Sequence, residues 1–148
     1  MERWDEALKE LRAFRRMAGD TTHMPVEMDT LRALGRPDDV HKTWALFQEL
    51  GGRPQIDAEA RVVYGSFLLD QGDARAAWDV TRPKRVTKEA HVGDMRRWYV
   101  AARSAAALGD IDTARQLARA ISEADEDGEI GGMDALEREI DDRASNRS

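Results

Sequence analysis

Three histidines, 29 carboxylates and no cysteine are the raw material for chemistry in this chain of 148 residues. Without thiols there is no cysteine nucleophile, no thiolate metal site and no disulfide framework. His23, His41 and His91 fall in separate segments, with no pair one helical turn apart of the kind that shares a metal ion, so they read as surface or packing residues. No serine sits in a glycine-framed elbow and no glycine-rich phosphate loop follows a strand. Carboxylates are dense because 35% of the sequence is charged, and none is set apart as a general acid or base. No catalytic residue is assigned, and no cofactor is expected.

Two stretches carry more pattern. Glu123 to Asp134 resembles a calcium loop, with oxygen ligands at alternate positions (Asp125, Asp127), Gly128 at the turn and Asp134 at the end. Glu123 replaces the opening Asp, and Asp134 is one methylene shorter than the usual bidentate Glu, so the stretch reads as an acidic connector rather than a metal site. From Arg82 to Arg103 there are seven bases and two acids, a net +5, whereas Glu123 to Asp142 carries ten acids and one base, a net −9. Arg82, Lys84, Arg85, Lys88, Arg96 and Arg97 could meet nucleic-acid phosphates, against an acidic pI of about 5.1 and a scarcity of interleaved aromatics.

The elements that must position these residues are marked by three turns. Leu34-Gly35, Gln71-Gly72 and Leu108-Gly109 each end one apolar-periodic segment and open another, and the glycines recur every 37 residues. A fixed period of that length signals stacked helical repeats. The pattern predicts about eight helices and no strand: an unpaired helix over 3–17, hairpins over 24–50, 57–82 and 94–124, and a capping helix over 132–143, one domain over 1–144 with a frayed tail over 145–148. Asp57 and Asp94 are the expected N-caps of their helices. Pro83 ends the second hairpin early, and the longest irregular connection follows it. Trp4, Trp44, Trp78 and Trp98 lie on apolar stripes and read as core. Trp4, Leu8, Leu11, Phe14 and Met17 give the first helix a stripe with no preceding partner, to be covered by a second copy, by preceding repeats or by folding back. No stretch has the length of a membrane span, the start has no secretory pattern, and a cytoplasmic location is expected.

The third hairpin resembles a tetratricopeptide repeat, with Trp98 at the bulky position early in the first helix, Gly109-Asp110 at the turn and Ala114 at the small crossing position. The second matches through Gly65, Gly72-Asp73 and Ala77, and the first keeps Gly35 and has Val40 at the small position. The period of 37 exceeds the family's usual 34, and the proline after the second helix is largely missing. Leu11 to Arg16, Leu34 to Pro37 and Ala124 to Glu129 also resemble the C-terminal part of a group of actinobacterial tetratricopeptide proteins.

The resemblance implies an all-α, right-handed superhelix of antiparallel hairpins whose first helices line a concave, peptide-binding face. By register that face would carry Arg96, Tyr99 and Arg103 from the third hairpin, Ser66 from the second and Arg32 from the first. Pro25, Val63 and Val100 stand where a carboxylate clamp would need polar groups, which argues against that mode. The function expected is a non-enzymatic protein- or peptide-binding scaffold, with nucleic-acid binding through the basic stretch as the alternative.

Overall fold

In the computed structural model, which describes residues 2–146, the chain is all-α, with eight helices and no strand among the described residues. In order they are α1 (Glu2–Ala18), α2 (Met24–Ala33), α3 (Pro37–Leu50), α4 (Pro54–Asp70), α5 (Ala74–Thr81), α6 (Val92–Ala107), α7 (Ile111–Ala124) and α8 (Met133–Ser145). None of them is long and apolar enough to cross a membrane.

The periodic glycines mark a geometry repeated bond for bond. Gly35, Gly72 and Gly109 have φ of 69°, 79° and 84°, the left-handed region that costs glycine little. In each turn the glycine N–H and the next N–H bond back to the last helical turn. The pairs are Gly35 to Arg32 and Arg36 to Leu31, Gly72 to Leu69 and Asp73 to Leu68, and Gly109 to Ala106 and Asp110 to Ala105, all near 3.0 Å. These double bonds satisfy carbonyls that a helix end otherwise leaves open. Asp73 and Asp110 then cap the following helices, accepting the N–H groups of Ala76 and Thr113 at 3.1 and 3.2 Å. The first turn departs from this scheme, since Pro37 opens α3 and Arg36 pairs with Asp39 at 2.7 Å.

The chain divides into two compact units, one up to Tyr64 and one from Gly65 onward. In the first, α1 packs on α2 and α2 on α3. Met24, Met28, Leu31, Val40, Trp44 and Phe47 are buried there. In the second, α6 is the common neighbour of α5, α7 and α8, and α8 also packs on α7. Its core joins Met95, Trp98, Ala101, Ala102 and Ala105 of α6 to Ala114, Leu117 and Ile121 of α7 and Leu136 and Ile140 of α8. Alanines keep α6 slim enough to be approached from several sides. Gly65 of α4 serves the same end, because a Cβ there would run into Thr81 Cγ2 and come within 3.1 Å of Val100.

Some local expectations are corrected. Helix α4 begins at Pro54, whose fixed φ suits a first turn, and Asp57 lies inside that turn paired with Arg61 at 2.8 Å rather than capping it. The N-cap of α6 is His91, and Asp94 reaches back to accept its N–H at 3.4 Å. Helix α8 runs through Ser145, and Arg147 and Ser148 lie outside the described residues.

Trp4 is not core. It is 47% exposed, Phe14 43% and Met17 89%, while Trp44 and Trp98 are buried and Trp78 is half-buried. The orientation of α1 is set on α2, where Glu27 is only 2% exposed and accepts Arg12 Nε at 3.2 Å and Arg15 Nη1 at 2.6 Å. A buried carboxylate demands such partners. Arg12, Arg15 and the buried Leu8 share one side of α1, and turning that side to α2 leaves Phe14 and Met17, further round the helix, more open to solvent, while Trp4 lies on the same side near the start of α1.

Candidate interaction surfaces

Two of the three face residues predicted on α6 are engaged by α8. The Tyr99 hydroxyl donates to the Gly132 carbonyl at 2.7 Å, just before α8 begins, and Arg103 Nε meets Glu139 Oε2 at 2.9 Å. Leu136 and Ile140 of α8 are buried beneath them. Arg96, the third, is exposed. Ser66 on α4 is half-buried. Arg32, in the first unit, is exposed and directs Nε and Nη2 at Asp29 Oδ1 at 3.0 and 2.7 Å. Within the second unit, then, the predicted face is a seat for an acidic helix of the same chain.

The basic stretch is an irregular strap from the end of α5 to the start of α6, with a bend at Lys84 and a turn at Lys88 and Glu89. Arg97 anchors it, with Nε donating to the Thr81 carbonyl and Nη2 to the Arg82 carbonyl, both at 2.9 Å. Arg82 leaves the helix with φ −53° and ψ 131°, an extended conformation. Lys84, Arg85 and Thr87 of the strap, with Asp94, Arg97 and Trp98 of α6, line a hollow of about 310 Å3. Arg82, Lys84, Arg85 and Lys88 are exposed, so the patch divides into exposed cations and one arginine spent on the backbone.

A larger hollow of about 710 Å3 lies in the first unit between the α1–α2 and α3–α4 loops, with Arg15, Arg16, Arg53 and Asp20 among its lining. The Thr21 hydroxyl ties the loops by donating to the Gly51 carbonyl at 2.9 Å. The Asp20 carboxyl is held below its ordinary pKa chiefly by the Thr22 hydroxyl, then by the Thr22 N–H, with a smaller contribution from Arg53. Of the three arginines, Arg15 is committed to Glu27.

In the acidic connector, Asp125 turns both oxygens to the backbone, accepting the N–H of Glu129 at 2.8 Å and of Ile130 at 2.9 Å. Asp127 and Asp134 are exposed. Among the described residues no group of three or more His, Asp or Glu side chains is placed to hold a metal ion. The histidines lie apart: His23 meets Phe14 edge-on at 4.7 Å, His41 Nδ1 and the Tyr64 hydroxyl share a 2.7 Å hydrogen bond, and His91 caps α6.

Sequence reasoning missed Glu27, whose only signal was its place in the repeat. It stands 37 residues before Tyr64 and 74 before Ala101, and all three positions are buried. A scan against protein-family models, a search of curated proteins and a search of solved structures each returned no match.

Proposed function

We propose that the protein is a non-enzymatic scaffold of the tetratricopeptide-like kind, which binds a protein or peptide segment on its helical hairpins. The observation that carries this reading is the seat of α8. There α6 receives an acidic helix through a tyrosine hydroxyl on a carbonyl, an arginine on a carboxylate and an apolar floor under Leu136 and Ile140. Those are the ingredients of helix-in-groove recognition between chains. The chain thus performs within itself the recognition expected of it toward a partner. Repeated turn geometry at Gly35, Gly72 and Gly109 supports the same reading, because stacked hairpins offer rigid, extended surface at little ordering cost.

Since Tyr99 and Arg103 hold α8 and Arg32 of the first unit is paired with Asp29, the residues proposed to meet a partner are Arg96 and Ser66 of the second unit. The test is isolation of a partner from the native source, followed by calorimetry on the two purified components. A saturable complex that Arg96→Glu weakens about tenfold is expected for a charge at a docking surface. A partner that binds Arg96→Glu and Ser66→Glu as tightly as the parent chain overturns the site. Turnover of a small molecule without any protein complex overturns the scaffold reading itself.

A further inference from the structure

We propose that the strap from Arg82 to Ala90 is the docking surface for an acidic peptide segment; this rests on the scaffold reading and names the partner's chemistry. Arg82, Lys84, Arg85 and Lys88 are four exposed cations within seven residues. Of the two acids that follow before Met95, Asp94 is occupied in capping α6, and Glu89 is exposed beside them. Such a local excess attracts an anionic partner despite the net charge of −6, because screening confines each charge's influence to about 8 Å at physiological salt.

The start of the strap is held, because Arg97 clamps the carbonyls of Thr81 and Arg82 and so fixes the direction in which the chain leaves α5 towards the hollow beside Lys84 and Arg85. A fixed attachment point lowers the entropy lost when a partner docks.

The choice of a peptide over nucleic acid comes from what lies between the cations. Val86 is 46% exposed in the middle of the strap, an apolar contact that a peptide side chain can use and a phosphate backbone cannot. From Arg82 to Arg97 there is no Phe, Tyr or Trp, and Trp98 behind the hollow is only 3% exposed, so no aromatic face is offered for bases to stack on.

The experiment uses the full chain and two labelled probes of equal charge, a short peptide of Glu and Leu and a single-stranded oligonucleotide, read by fluorescence anisotropy. One variant reverses the strap (Lys84→Glu, Arg85→Glu, Lys88→Glu), leaving Arg97 in place. A second alters the other predicted face (Ser66→Ala, Arg96→Ala), and circular dichroism confirms that both fold. The expected result is peptide binding that weakens steeply with salt, falls at least about tenfold in the strap variant and changes less than about twofold in the face variant. Binding retained in the strap variant but lost in the face variant overturns the strap while leaving the scaffold reading standing. No peptide binding by the parent chain, or tighter binding of the oligonucleotide, overturns the proposal.

Discussion

Glu27 is the residue whose behaviour departs furthest from its type. A carboxylate at 2% exposure is expensive to bury, and two arginines at 20% and 35% side-chain exposure offset that cost while keeping one edge in water. It therefore acts as the peg on which α1 hangs. Glu27→Ala removes the peg and leaves two guanidinium groups facing an apolar gap. We expect a loss of about 2–3 kcal/mol, at or below the lower end for a broken buried pair because the arginines can turn to solvent. Urea unfolding followed by tryptophan emission measures it, and hydrogen exchange should show α1 losing protection before α2 and α3. Equal protection of α1 in parent and variant would mean that Leu8 alone holds the helix. This residue was hard to read in advance because a glutamate on a helix is normally solvated, and only a register comparison with Tyr64 and Ala101 places it indoors.

At the scale of the element, the turns and crossings explain most of the fold. Helix ends at Gly35, Gly72 and Gly109 were legible because a glycine after an apolar-periodic segment, followed by a proline or an aspartate, can do little else. Val40, Ala77 and Ala114, also 37 residues apart, are each fully buried at hairpin crossings. Gly65 belongs to the same logic. In an isolated helix Gly65→Ala would gain about 1 kcal/mol of helix propensity. Here the added methyl meets Thr81 and Val100, and overpacking of this kind costs about 1–3 kcal/mol. A net loss of stability in a thermal melt is the expected sign. A more stable variant would show that the close packing around Gly65 yields freely.

For the second unit as a whole, α8 decides what kind of surface remains. Its two buried side chains contribute roughly 2 kcal/mol each, whereas the Arg103–Glu139 pair, about a third exposed on both sides, contributes at most about 1 kcal/mol. Leu136→Ala should therefore open α8 to hydrogen exchange far more than Arg103→Ala does, and it should also loosen α6 and α7, which share that core. If Arg103→Ala proved the more damaging of the two, α8 would be a charge-held flap and the α6 face beneath it an exchangeable site.

What the sequence determined by itself is what depends on neighbours along the chain: helix ends set by glycine φ, the 37-residue period, the all-α class and the basic and acidic blocks, although the caps expected at Asp57 and Asp94 fell elsewhere. Each follows from local sterics, local hydrogen bonding or counting. Tertiary structure decided which side of each helix found a partner. It left Trp4 half in water, spent Tyr99 and Arg103 on α8, and used Arg97 to anchor the start of the strap. The physical reason is that a helical stripe specifies what can be buried. Which stripe is buried, and against what, depends on the competition between apolar area and the few polar groups, such as Glu27, that cannot be left without partners.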